Sequence, residues 1–85
     1  MIENKYSAKK VFKLIELKKD KAGIVKKIGS GMLAKKLIDL GIIPGEKIKV
    51  ITKSPFGDPM IVLIRGCLVG LSKNMAENIK LCLLN

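Results

Sequence analysis

The run from Leu33 to Val50, LAKKLIDLGIIPGEKIKV, contains a helix, a stop, a turn and a strand in succession. Leu33, Leu37 and Leu40 recur at i, i+4 and i+7 with Ala34 and Ile38 beside them, while Lys35, Lys36 and Asp39 fall on the other side of the helical wheel. Gly41 follows the last periodic residue, where a left-handed cap costs a glycine nothing, and Pro44 forbids continuation. The helix is therefore expected to end at about Leu40. Pro44-Gly45 is a turn dipeptide, after which Ile48 and Val50 alternate with Lys47 and Lys49 in the period of a half-buried strand. A helix that feeds a strand through a tight corner needs partner strands for one and an apolar surface for the other.

The rest of the chain supplies them. Residues 1–10 mix charges without a period and are read as a basic lead-in to a single domain over 11–85. Residues 11–17 are ambiguous by spacing and are read as a short helical turn that docks its leucines. Ile24 to Ile28 is the first core strand, broken by Gly29-Ser30-Gly31, with Ser30 placed to cap the helix. After the strand from about Glu46 to Lys53, the turn formers Ser54-Pro55-Phe56-Gly57-Asp58-Pro59 predict a hairpin. Strands follow at Met60 to Arg65 and Cys67 to Ser72, separated by Gly66. Asn74 with Glu77 has the spacing of a capping box for one helical turn over Met75 to Asn78. Alternation from Ile79 to Leu83 makes a closing strand. The expected fold is mainly β with one amphipathic helix and short helical turns. Its five short strands close into a small barrel, which removes most exposed sheet edges.

Composition narrows the function. At 85 residues there is room for one core, and 48% hydrophobic residues exclude a disordered chain. The longest wholly apolar run, Met60 to Ile64, is far below the roughly 18 residues needed to span a bilayer, and the N-terminus has no export signal. A cytoplasmic protein that is not membrane-inserted is expected. The net charge of +10 predicts attraction to an anionic partner. Of the 17 basic residues only Arg65 is arginine, and with one Tyr, two Phe and no Trp there is little to read or stack bases. Nucleic acid is not the expected partner. Cys67 and Cys82 are isolated and His is absent, so neither a zinc site nor a nucleophile with a base beside it is built. Asp39, Glu46 and Asp58 are scattered in lysine-rich sequence, and no tight divalent-metal site, no cofactor and no catalysis are expected.

The order of these signals resembles the ferrous iron transport protein A (FeoA) family, whose domain is an SH3-like barrel. The resemblance rests on Leu40-Gly41-Ile42-Ile43-Pro44-Gly45, Ile48-x-Val50, Pro55-Phe56-Gly57-Asp58-Pro59, Arg65-Gly66, Gly70-Leu71, Ala76 and Ile79, with Leu14, Leu17, Gly23 and Val25 upstream. It covers about Ser7 to Leu84. The sequence departs from the family where an Ala-Leu-Arg element is replaced by Gly70-Leu71-Ser72, and where Met60 to Ile64 is apolar on both faces. The family implies an accessory of bacterial ferrous iron uptake and iron homeostasis, acting on the cytosolic GTPase part of an FeoB-type membrane transporter; transition-metal binding attaches to it at the level of the family name only. The alternative is an SH3-like module in metal-dependent regulation or charge-driven nucleic-acid binding.

The motif residues Gly41, Pro44, Gly45, Gly57, Asp58, Pro59 and Gly66, with Leu33, Leu37 and Leu40, have architectural roles in turns and packing. A partner surface is instead expected from Phe56 at a hairpin tip, the apolar strand residues Met60, Ile61 and Leu63, and Lys47, Lys49 and Lys53 on one strand face. An apolar outer strand face would also allow weak self-association.

Overall fold

The structure is a computed structural model and describes residues 11–56 and 58–83. The expected lead-in 1–10 and the motif glycine Gly57 lie outside those residues. In chain order the elements are β1 (Val11–Lys13), a 3-10 turn (Leu14–Glu16), β2 (Ala22–Lys27), α1 (Gly31–Asp39), β3 (Lys47–Lys53), β4 (Met60–Ile64), β5 (Cys67–Leu71), α2 (Lys73–Asn78) and β6 (Lys80–Leu83). The strands form a single antiparallel sheet in the order β1-β6-β2-β3-β4-β5.

The helix and its corner form as their sequence dictates. Gly41 takes a φ of +90°, its N–H donates to the Ile38 carbonyl and the Ile42 N–H donates to the Leu37 carbonyl, both at 2.9 Å. This is the Schellman arrangement, and it folds Ile42 back against the buried Leu37. Gly45, at a φ of +97°, is stitched to β2 through its N–H to the Val25 carbonyl at 2.8 Å, while Glu46 accepts from the Val25 N–H at 2.9 Å. The corner thus anchors α1 to the sheet.

Several expectations are corrected. The sheet has a sixth strand, because Val11–Lys13 pairs with β6 before the chain enters the turn that buries Leu14 and Leu17. Three residues are too few to show a period, so this strand is made by its neighbour rather than by its own pattern. The barrel is not closed by hydrogen bonds among the described residues: β1 and β5 are the two edges. Leu40 does not join the buried helix face; it is 41% exposed while Leu37 is 0%, since the Schellman turn gives the next core position to Ile42. Leu33 is half-buried against the core.

Both predicted caps are also revised. Ser30 occupies the position before α1 but its hydroxyl caps nothing, whereas Ser72, not Asn74, caps α2 by accepting from the Met75 N–H at 3.2 Å. In the β3–β4 connection, where the Asp58–Pro59 peptide is cis, the Ser54 hydroxyl accepts from the Asp58 N–H at 2.8 Å. That bond uses the backbone of Asp58 rather than its carboxylate.

Candidate docking surface

A bulge in β3 decides which lysines share a face. Val50 is opposite Val62 and Thr52 is opposite Ile61, so Ile51 is the extra residue, and beyond it the alternation is inverted. Lys49 lies opposite Leu63 on the outward face, and Lys47, before the bulge, shares that face. Lys53 instead lies opposite the buried Met60, at an inward-facing register position. Its ammonium reaches the 3-10 turn and donates to the carbonyls of Ile15 and Leu17, the latter at 3.4 Å.

The expectation of three lysines on one strand face is therefore corrected to two, and Lys53 becomes a clamp that ties the N-terminal turn to β3. Strict period-2 counting could not reveal this, since a bulge adds a residue without leaving a glycine or proline to mark it. Replacing Lys53 with methionine retains the apolar stem and removes the donors. It is expected to cost about 1–2 kcal/mol, read as a lower denaturant midpoint with an unchanged slope.

Met60 is likewise removed from the partner surface: it is 0% exposed and belongs to the core with Val62, Ile64 and Leu71. Ile61 and Leu63 alternate with it and are half-buried on the outward face. Leu63 pairs across the strands with Leu68, which is 66% exposed, and Ile61 lies opposite Gly70, whose missing side chain leaves room for the Ile61 δ-methyl. Leu68 was not singled out by sequence; its signal was available in the outward parity of the β5 edge strand. Phe56, at the tip of the β3–β4 hairpin, is 85% exposed.

The surface so assembled has an apolar centre at Ile61, Leu63 and Leu68, lysines at Lys47 and Lys49, and an aromatic at the end of the adjoining hairpin. It has the chemistry of a protein-docking face. Among the described residues, no three His, Cys, Asp or Glu side chains come together as metal ligands, and no helix is long and apolar enough to cross a membrane. Cys67 is exposed and Cys82 half-buried, both as free thiols.

Similarity to known proteins agrees with this architecture. The FeoA domain family model matches residues 12–81. The solution structure of an FeoA protein from Chlorobium tepidum is 35% identical over 87% of this chain and 71% of its own, with a TM-score of 0.78. A crystal structure of an iron uptake regulatory protein, FeoA, is 29% identical over 88% of this chain and 100% of its own, with a TM-score of 0.82. A zinc-complexed FeoA from Stenotrophomonas maltophilia, described as a prokaryotic SH3 domain protein, shares the fold at 23% identity, covering 80% of this chain and 86% of its own, with a TM-score of 0.69. No curated protein sequence matches the chain significantly. With the family model spanning the sheet from β1 to β6 and the helix–corner–strand unit in place, the chain belongs to the FeoA domain family, which is linked to ferrous iron transport.

Proposed function

We propose that this protein is a small cytoplasmic accessory of ferrous iron uptake that acts, without catalysis of its own, by contact with the GTPase part of an FeoB-type membrane transporter. The observation that carries this reading is Phe56, an aromatic left 85% exposed at a hairpin tip beside an apolar sheet face. Leaving a phenyl ring in water forgoes the burial free energy that a core position would supply, and aromatic residues of this kind anchor protein interfaces. Membership of the FeoA family supplies the transport system. Lys47 and Lys49 on the same outward face steer an acidic partner surface.

An amide chemical-shift titration of the labelled protein with the soluble GTPase part of the cognate transporter tests this, with duplex DNA as a parallel sample. Saturable shifts centred on Phe56, Leu63 and Leu68 are expected, and Phe56→Ala should weaken the complex by about 30-fold, the equivalent of roughly 2 kcal/mol. Association should slow as salt rises, because the lysine contribution is screened beyond a Debye length of about 8 Å at physiological ionic strength. Silence with the GTPase part, or shifts with DNA that vanish in salt, would overturn the proposal.

A further inference from the structure

We propose that Lys13, Lys80 and Lys27, aligned across β1, β6 and β2, form a binding site for a phosphate-type oxyanion of at least two negative charges. The register sets the three in a row: Lys13 is the Cα partner of Lys80, and Lys80 is the Cα partner of Lys27 after a shift in β2 that steps over Lys26. Directly opposed residues of an antiparallel pair share one face, with Cβ atoms about 5 Å apart, and like charges in that position repel. A solvated basic surface would spread such charges. Here all three line one cleft of about 300 Å³, together with Gly29, Glu77 and Asn78.

The cleft has the remaining features that an oxyanion needs. Glu77 is its single carboxylate, so the lining carries a net charge of about +2 by formal count. No hydrogen bond or ion pair among the described residues engages any of the three ammonium groups, whereas the Lys53 ammonium donates to two main-chain carbonyls. Gly29 has a φ of +83° and no side chain, and the Asn78 amide oxygen lies 3.5 Å from where a Cβ at Gly29 would stand. Gly29 and Asn78 thus form the wall of the cleft beside the lysine row. A carboxylate would neutralise one lysine, whereas a phosphate or diphosphate group offers the charge and the acceptor directions to bridge all three, and lysine binds phosphate as a point charge. This site lies on the β1-β6-β2 end of the sheet and does not depend on the docking reading, which concerns β3, β4 and β5.

The test is titration of the full chain with inorganic pyrophosphate at a constant ionic strength of about 0.15 M, followed by amide shifts and by the thermal midpoint. Saturable shifts at Lys13, Lys27, Gly29 and Lys80 are expected, with a Kd below about 1 mM. Lys80→Gln removes the central charge of the row and should weaken binding about tenfold, while Lys19→Gln, in the loop before β2, leaves it unchanged. A second arm uses a nucleoside diphosphate: equal affinity assigns the site to the bare phosphate group, and tighter binding adds a contact to the nucleoside. Shifts that grow without saturating and spread over all lysines would overturn the site, as would Lys80→Gln binding pyrophosphate like the parent.

Discussion

Replacing Gly23 with alanine is expected to destabilise the protein by about 3 kcal/mol, although alanine is the smallest change a glycine can undergo. A Cβ at this position would stand 2.7 Å from the Cys82 carbonyl oxygen, and 3.1 and 3.2 Å from atoms of the Leu81 side chain. Gly23 is the Cα partner of Leu83 on one side and of Ile48 on the other, so it sits in the middle of the sheet. A clash with the tip of a flexible side chain could relax cheaply. Here the nearest atom is backbone in the neighbouring strand, and Leu81 is itself fully buried, so relief requires β2 and β6 to part. For a domain of 85 residues, total stability is on the order of 4–13 kcal/mol. The thermal midpoint should fall by roughly 15 °C, taking about 4–8 °C per kcal/mol for a domain of this size. A Gly23→Ala protein that melts within a few degrees of the parent would show that the two strands are less tightly spaced than described.

The second large effect separates two leucines that look alike in sequence. Leu37→Ala should cost about 3 kcal/mol, within the usual range for removing a buried leucine and leaving a cavity, while Leu40→Ala should cost less than about 1 kcal/mol. Leu37 is wholly buried and packs in the core that also holds Ala34 and Ile42. Leu40 ends the helix in αR geometry with its side chain partly in water, and its N–H, which donates to the Lys36 and Leu37 carbonyls, survives the substitution. Chemical denaturation of the two variants gives both values. Similar losses would mean that Leu40 is buried against something, which would return it to the helix face that the i, i+4, i+7 spacing proposed.

The leucine pair shows where periodicity stops being informative. It places a residue on a wheel, but the Schellman turn ends the wheel and substitutes Ile42 for Leu40. Period-2 counting fails in the same manner at Ile51: one extra residue sends Lys53 inward, and the partner surface assembled from sequence loses one of its three lysines. Met60 is lost from it for a simpler reason. Within Met60 to Ile64 every residue is apolar, so the pattern has no polar phase to say which set faces the core.

The sequence by itself determined the local grammar of this protein. The helix, its glycine stop, the Pro44-Gly45 corner, the hairpins around Phe56 and Gly66 and the final strand are all set by backbone geometry that particular residues allow or forbid, within a few positions of where they act. Those same turns, in that order, carried the family. Tertiary structure decided everything that depends on a neighbour distant in the chain. It made Val11–Lys13 a strand by offering β6 as a template, and it chose the inner face of β4. It also turned Lys53 into a clamp on a segment 36 and 38 residues away and set Lys13, Lys80 and Lys27 side by side. The physical reason is the same in each case: register between strands is a property of pairs, and neither strand's sequence alone contains it.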